Sequence, residues 1–313
     1  MSHFMRPMAP VSPFPSRGAS PVGFTELPMA RTIAIANLKG GVGKTTTTIS
    51  LGAALVERGY RVLLVDLDIQ QDLCASLEVS TPRPGLADVL FSIVLFKNAE
   101  LSEAFVEVRG LTVAGGYGLQ QVETQLNPLK DSESALKFAL APHLDQFDIV
   151  LLDCGPSIGY LTRGALTAAD DVLIPIQTEF LALNDLPGIM SAVASIKARL
   201  NPRLKVTGFV PTMYDGRTRH GLEILEEIAA QAKRHGVPAF NPIPKTIRLA
   251  EASASGRPIT QYAPESSAAL AYHRLAIEIE RCGELKNSTG SVASPAVFSR
   301  PVASVSMQRM AQA

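Results

Sequence analysis

One glycine-rich segment constrains the fold of this chain more than any other feature of its sequence. It reads LKGGVGK at residues 38–44 and directly follows the apolar, β-branched run TIAIAN at residues 32–37. Residues 45–58 then show the apolar periodicity of a helix. A buried strand that turns through glycines into a helix is typical of anion sites in parallel α/β sheets. The sequence therefore predicts an α/β protein with a phosphate site at the start of its first helix.

The residue types in this turn indicate how a phosphate group is held. Its glycines permit backbone conformations closed to other residues and let amide groups approach an anion. Lys44 is expected to neutralise the β- and γ-phosphates of a nucleotide, and the Thr45 hydroxyl to bind Mg²⁺. The predicted nucleotide-binding residues are Lys39, Gly40, Gly41, Val42, Gly43, Lys44, Thr45 and Thr46.

Two positions of the turn depart from the general phosphate-loop pattern G-x-x-x-x-G-K-[ST]. Leu38 stands where the first glycine is expected, and Lys39 adds a second positive charge directly before the glycines. Because Lys39 precedes the turn, its side chain need not point into the phosphate nest of its own chain. This lysine therefore requires a separate explanation.

Carboxylates follow two further apolar runs. RVLLVDLD places Asp66 and Asp68 at the end of one predicted strand, and FDIVLLDCGPS places Asp153 at the end of another. A carboxylate in this position accepts a hydrogen bond from a Mg²⁺-bound water and so fixes the metal against the phosphates. Thr45, Asp66 and Asp153 are the predicted metal-site residues.

The order of apolar runs along the chain predicts the fold class. Runs that are apolar on both faces alternate with helical patterns, which indicates a doubly wound, mostly parallel sheet with helices on both faces, the P-loop NTPase fold. The predicted strands read TIAIAN, RVLLVDLD, LTVAGG, DIVLLDCG, DVLIPIQ and KVTGFVPT. The clearest predicted helices are 45–58, 131–144, 184–200, 221–235 and 266–281.

Composition limits the class of protein and its domain organisation. The apolar runs are far shorter than the roughly 20 residues of a membrane-spanning helix, and no export signal is visible. Cys74, Cys154 and Cys282 are too scattered for a disulfide framework or a C-x-x-C metal site. We expect a disordered, Pro-rich lead over 1–30, a single domain over 31–282 and a disordered tail over 283–313.

Charge is distributed unevenly although the formal net charge is zero. Residues 191–260 contain 11 lysines and arginines against 5 acidic residues, whereas residues 31–150 contain 10 against 14. An excess of this kind predicts an anionic partner for one face of the protein, although solvated surface charge without a partner produces the same pattern.

The motifs together resemble a known family. KGGVGKTT, VLLVDLD and DIVLLDCGPS match the deviant Walker A ATPases of the ParA/MinD type, and the likeness extends over about residues 31–282. PTMYDGRTRHGLEILEEI and IPKTIRLAEASASGRPITQYAPESSAALAYHRLA resemble the ParA/Soj partitioning branch more specifically.

The resemblance implies roles for individual residues. Lys39 would reach across to the nucleotide of a second subunit in an ATP-sandwich homodimer, Asp68 would position the attacking water, and DCGPS would be the second switch segment. Lys39, Lys44 and Asp68 are thus the expected catalytic residues. DNA contacts are implied for Arg217, Arg219, Lys245 and Arg248.

The function implied by the resemblance is an ATP-dependent dimerising switch that binds DNA non-specifically and positions or segregates DNA or other cargo. ATP and Mg²⁺ are its expected cofactors. Hydrolysis would be weak alone and stimulated by a cargo-bound, ParB-like activator. The protein would be cytoplasmic and nucleoid-associated, without stable membrane association.

Alternatives share the same motifs. A MinD-like membrane switch would need a basic amphipathic C-terminal helix, which SRPVASVSMQRMAQA does not resemble. An iron–sulfur reductase would need paired cysteines, which the spacing of Cys154 from the other cysteines does not provide. A ligase acting on a small acid has no support in the sequence beyond the phosphate loop. Within the ParA-like interpretation, Leu38 replaces a usual Gln, Gly155 a usual Pro, and DIQQD at 68–72 a usual DPQGN. The last departure leaves the rate of hydrolysis open.

Overall fold

A computed structural model shows how these segments are arranged. It describes residues 30–80, 83–96, 99–129 and 132–283, except for the side chains of 180–182. In these ranges no helix has the length and apolar character needed to cross a bilayer.

Seven strands form one sheet. They are β1 (Arg31–Ile35), β2 (Val62–Leu67), β3 (Phe105–Val108), β4 (Leu111–Ala114), β5 (Ile149–Cys154), β6 (Asp171–Gln177) and β7 (Lys205–Thr212). Their spatial order is β3-β4-β2-β5-β1-β6-β7, and only the β3–β4 pair is antiparallel. The central strands β2 and β5 are buried along their whole length, as expected where helices cover both faces.

Eleven α-helices are present in the described ranges, joined in places by short 3₁₀ turns. They are α1 (Lys44–Glu57), α2 (Asp72–Ser76), α3 (Leu86–Phe96), α4 (Leu119–Gln125), α5 (Ala135–Leu140), α6 (Tyr160–Ala168), α7 (Leu186–Arg199), α8 (Arg219–Arg234), α9 (Arg248–Ala254), α10 (Ile259–Tyr262) and α11 (Ser267–Gly283).

Two separate apolar cores lie on opposite faces of the sheet. One packs α3 to α8 against the sheet, and the other packs α1, α2, α9, α10 and α11 against it. Successive side chains of a strand alternate between them: Ile33 and Ile35 belong to the second core, and Ala34 to the first. The predicted doubly wound sheet with helices on both faces is therefore confirmed.

Two local predictions differ from the structure. The antiparallel strand β3 at the sheet edge has no predicted counterpart, because FVEV lacks the long apolar run that marks the buried strands. The single helix predicted over 131–144 is instead 3₁₀ at Ser132–Ser134, α5, and 3₁₀ at Ala141–His143. Pro142 explains the second break, since its ring cannot donate a hydrogen bond and crowds the preceding turn.

Residues 1–29 and 284–313 lie outside the described residues, so the predicted disorder of the two ends, 1–30 and 283–313, stays a prediction for them. One position of each predicted end, 30 and 283, is described. Ala30 is buried, and its amide donates to the Leu144 carbonyl at 2.9 Å. Gly283 is the last residue of α11. The folded region therefore includes both residues, one beyond each predicted limit.

Candidate functional site

The phosphate loop lies between β1 and α1, as predicted. Gly41 and Gly43 have φ of 73° and 85°, a left-handed conformation that disfavours other residues. A Cβ built on Gly40 or Gly41 meets no atom within 4 Å, so the loop borders open space where a phosphate group fits. Its strand–turn–helix form places the free amides of the first α1 turn toward that space.

Two polar side chains that sequence analysis did not identify hold this loop in place. Asn37 donates from Nδ2 to the Pro175 carbonyl at 2.7 Å and accepts from the Lys39 amide at 3.1 Å. The Thr212 hydroxyl donates to the Val42 carbonyl at 2.8 Å. These bonds connect the loop to β6 and β7, so its shape is preset before a ligand arrives. The polar Asn37 at the end of an apolar strand was the one available signal.

Lys44 lies inside the loop. Its side chain is buried, and Nζ donates to the Lys39 carbonyl at 3.1 Å. Burial lowers the pKa of Lys44, while the nearby Asp153 carboxyl opposes that shift. A desolvated ammonium group gains strongly from an anionic ligand. The geometry therefore suits the predicted contact with phosphate.

Lys39 contacts a residue from another segment. Its Nζ lies 3.8 Å from Glu179 Oε2, and 25% of its side chain is exposed. Glu179 follows β6 and is itself 56% exposed. An ion pair of this length with an exposed partner is weak, so Lys39 can exchange Glu179 for another anion.

The two predicted metal carboxylates face each other across neighbouring strands. Asp66 and Asp153 are partners in the β2–β5 register. Asp66 accepts from the amides of Asp68 at 3.3 Å and Cys74 at 3.0 Å. Asp153 Oδ1 accepts from the Thr48 hydroxyl at 3.1 Å, but the buried Oδ2 receives no hydrogen bond from the described residues.

Burial shifts the pKa of both carboxyl groups. It raises the pKa of Asp66 to about 6, against the hydrogen bonds that Asp66 accepts. It raises the pKa of Asp153 to about 8, with the Asp66 charge adding to the effect and the hydrogen bond from Thr48 opposing it. A buried carboxylate oxygen without a partner is costly unless a ligand completes it.

These residues fit Mg²⁺ held together with a nucleotide. In the described ranges no group of three or more His, Cys, Asp or Glu side chains forms a metal site by itself. Mg²⁺ usually keeps several waters and takes one or two protein ligands along with phosphate oxygens. Thr45 at the loop and the free Asp153 oxygen provide such a partial site.

We expect Asp153→Asn to stabilise the nucleotide-free protein. Between its ordinary pKa of 3.8 and its folded pKa of about 8, Asp153 stays protonated when folded and ionises when unfolded. Wild-type stability therefore falls as pH rises through this window, and the asparagine variant lacks that loss. Its melting-temperature advantage in EDTA should grow from about pH 5 to about pH 8. An advantage that does not change with pH would contradict this account.

Asp68 lies at the edge of the site. It is buried, its Oδ1 accepts from the Gln70 amide at 3.0 Å, and a Cβ on Gly155 would lie 3.5 Å from that oxygen. The carboxylate therefore lies near the start of the segment that follows Asp153. In the DIQQD departure, Gln71 takes the place of the family's usual glycine and keeps a left-handed φ of 56°. Gln71 therefore adopts the left-handed conformation that glycine takes easily, which strains its backbone.

The structure brings the two predicted DNA-contacting stretches together. Tyr214 pairs with Pro244 in an isolated parallel bridge, and the Lys245 amide donates to the Tyr214 carbonyl at 2.8 Å. Arg217 therefore lies in a loop beside the segment that carries Lys245 and Arg248. We call the four residues Arg217, Arg219, Lys245 and Arg248 the basic patch.

Acidic neighbours reduce the charge of the basic patch, which the sequence did not indicate. Arg217 makes two 2.8 Å hydrogen bonds to Asp215, Arg219 bonds Glu223 at 2.8 Å, and Arg248 bonds Glu251 at 3.0 Å. Lys245 makes no ion pair with any described residue. Arg217 and Arg219 are 89% and 93% exposed, so their ion pairs are weak and open to competition from another anion.

A hydrogen bond connects α9, which begins at Arg248, to α2, the helix that follows Asp68. Ser253 of α9 donates to Ser76 of α2 at 2.8 Å. Helix α9 begins at Arg248 and α2 begins four residues after Asp68. Between α1, α2 and α9 lies a cavity of about 310 Å³, which reaches Thr45 and Thr46 of the phosphate loop. The cavity beside the phosphate loop is thus lined in part by α9, the helix whose first residue is Arg248.

Comparisons with known proteins find similar sequences and similar folds. A family model described as an AAA domain matches residues 30–206. The chromosome-partitioning ATPase Soj of Thermus thermophilus is 40% identical over 257 residues, which cover 80% of this chain and 95% of the relative. The solved structure of Mycobacterium smegmatis cobyrinic acid a,c-diamide synthase with bound ADP and magnesium has a TM-score of 0.69 and 37% identity, covering 81% of this chain and 95% of that one. Pyrococcus furiosus cell division ATPase MinD has a TM-score of 0.63 and 28% identity, over 81% and 99% of the two chains.

Proposed function

Because the chain belongs to the ParA/MinD-type ATPases, near their ParA/Soj branch, we propose that it is an ATP-driven dimerising switch that binds DNA non-specifically. One observation supports this most: Lys44 lies buried within the phosphate loop, whereas Lys39 makes a weak ion pair with Glu179 after β6. The two lysines of the loop thus contact different groups. Lys44 serves the nucleotide of its own subunit, and Lys39 can leave Glu179 for the nucleotide of a second subunit.

Within one subunit, the loop amides and Lys44 bind the phosphates of ATP. Thr45 and the unpaired Asp153 oxygen would hold Mg²⁺ or its waters, with Asp66 on the neighbouring strand. Mg²⁺ held there would neutralise charge on the phosphates. Asp68, buried beside this group, orients the attacking water. The activity is hydrolysis of ATP to ADP and phosphate.

Across the dimer, Lys39 leaves Glu179 and contacts the nucleotide of the partner subunit. Exchange of a weak surface ion pair for a triphosphate in a closed interface favours the dimer only when ATP is bound. ADP lacks the γ-phosphate and so gives less of this stabilisation. The nucleotide thereby controls assembly.

DNA binding then follows from the number of basic patches. In one subunit the patch is weakened by Asp215, Glu223 and Glu251, so its affinity for phosphates is low. Two patches held in a dimer bind the same duplex with a large gain in effective concentration. Such contacts carry no base specificity and are salt-sensitive. Non-specific DNA binding would keep the protein at the nucleoid, and a ParB-like activator bound to cargo would end the bound state by stimulating hydrolysis.

The double variant Arg217→Glu/Arg248→Glu should lose DNA binding. Fluorescence anisotropy with a random-sequence duplex in ATP should show at least a tenfold weaker affinity, since two phosphate contacts per subunit become repulsive. Wild type in ADP should bind as weakly as the variant.

Arg234→Glu is the matched control, because Arg234 is also an exposed arginine paired with a glutamate but lies at the far end of α8. It should bind DNA like wild type. Equal affinity in ADP and ATP, or equal affinity of the double variant and wild type, would refute the DNA-binding proposal.

A second candidate function is an ATP-dependent ligase, favoured by the likeness to the Mycobacterium smegmatis structure described as a cobyrinic acid a,c-diamide synthase. A ligase consumes ATP only with an acid and an amine donor present. ATP turnover that depends on such substrates and does not change when DNA is added would support the ligase.

The MinD-like membrane switch is tested by flotation with anionic liposomes. Flotation of the protein with the liposomes in ATP would support that alternative.

A further inference from the structure

A short segment connects the metal carboxylate to helix α6. It runs from Gly155 to Gly159, between Asp153 at the end of β5 and Tyr160 at the start of α6. Its first residue, Gly155, lies near Asp68, since a Cβ added at Gly155 would be 3.5 Å from Asp68 Oδ1. The position of this segment therefore affects both acidic groups assigned to hydrolysis.

Glu123, from α4, holds the far end of this segment. Its Oε1 accepts from the Tyr160 amide at 2.6 Å, and its Oε2 accepts from the Leu161 amide at 3.0 Å. The residue before the helix, Gly159, has no side chain to cap it. A carboxylate at a helix N-terminus satisfies free amides and interacts favourably with the helix dipole. Glu123 thus replaces a local cap with one from a different element.

Gly159 is shaped for this contact. Its φ is −80°, a backbone conformation open to any residue, so flexibility does not require glycine here. The position of Glu123 favours glycine instead, because a Cβ on Gly159 would lie 1.8 Å from Glu123 Oε1. Any side chain at 159 would displace the carboxylate from the helix end. The two positions form one unit, although 36 residues separate them in sequence.

We propose that Glu123 is a positioning residue for ATP hydrolysis, which fixes the 155–159 segment so that Asp153 and Asp68 keep their relative placement around the γ-phosphate. This inference rests on the proposed roles of Asp153 and Asp68. Glu123 acts through the backbone of α6 and touches no reacting atom. Binding of the ADP moiety, which depends on the phosphate loop, does not involve it.

The test compares Glu123→Ala with Asp88→Ala. Asp88 is the matched control because its carboxylate also accepts from a backbone amide at the start of a helix, that of Gly85 at 2.9 Å, but the helix is α3 and not the one that follows the 155–159 segment. Glu123→Ala should lower kcat about tenfold while the Kd for a fluorescent ADP analogue stays within about twofold of wild type. Asp88→Ala should change neither quantity.

A second comparison keeps the test valid if Glu123→Ala folds poorly. Gly159→Ala should lower kcat by a similar factor, and Glu123→Gln should fall between wild type and Glu123→Ala because one acceptor oxygen remains. In the double variant Glu123→Ala/Gly159→Ala the two losses should not multiply, since both remove one contact.

Three outcomes would overturn the proposal: wild-type kcat in Glu123→Ala, equal losses in kcat and ADP affinity, or losses that multiply in the double variant. Asp68→Ala, measured in parallel, separates this failure from failure of the proposed function. Normal hydrolysis by Asp68→Ala refutes the assigned site itself. Slow hydrolysis by Asp68→Ala with normal Glu123→Ala refutes only the role of Glu123.

Discussion

Lys39→Ala should lower ATP hydrolysis by about 100-fold or more and abolish the ATP-dependent dimer, while ADP still binds. A positive group supplied from a second subunit to a transferring phosphoryl group contributes factors of about 10³ or more in related phosphate chemistry. Lys39 is suited to that role because its ion pair with Glu179, at 3.8 Å, is weak and can be exchanged for another anion. Light scattering with a non-hydrolysable ATP analogue measures the dimer, and phosphate release measures the rate.

Two further variants separate the possible causes of such a loss. Glu179→Gln removes the ion pair within the subunit but keeps the lysine, so it should dimerise at least as well as wild type. Lys44→Ala should instead lose ADP and ATP alike, because Lys44 is buried in the loop. Dimers of normal mass and normal turnover in Lys39→Ala would remove the basis of the dimer proposal.

Asp68→Ala should slow hydrolysis by about 100- to 1,000-fold and trap the dimer that Lys39→Ala cannot form. Loss of a group that orients or activates the attacking water typically costs about 10²- to 10⁴-fold in rate. Binding should persist, since the phosphate loop and Asp153 are unchanged. Gel filtration in Mg-ATP should then show a dimer that persists much longer than the wild-type dimer and stays bound to DNA.

Asp72→Asn is the control for this variant. Asp72 is the next acidic residue along the chain, begins α2, and is exposed. Its loss changes the local charge by the same amount without removing a buried carboxylate beside Gly155. Rapid turnover by Asp68→Ala, or equal slowing by Asp72→Asn, would show that the water-positioning role belongs elsewhere.

Much of this fold could be predicted because its strands are buried on both faces. A strand such as β5, IVLLDC, has no polar side and is visible as an apolar run. The edge strand β3 is FVEV, partly exposed, and gives no such signal. The helix broken at Pro142 shows a local rule, present in the sequence, that periodicity alone conceals.

The candidate site divides in the same way. The loop, Asp66 and Asp153 were predictable because glycine spacing and strand ends place them at one sheet edge. The contacts of Glu123 with α6 and of Lys39 with Glu179 join segments far apart in sequence, so no local pattern reports them. The pairing of Arg217 with Asp215 is local, yet it depends on a turn whose geometry the residue types alone do not determine.

The unpaired oxygen of Asp153 is expected to affect how long the protein persists in a cell. A chain that must keep a carboxyl group buried without a partner is easier to open when its ligand is gone, and mass action by ATP reverses this. When the ATP concentration in the cell falls, more of the protein would be nucleotide-free and would open more often. Proteases would then degrade it faster, so the amount of the protein would fall together with its activity.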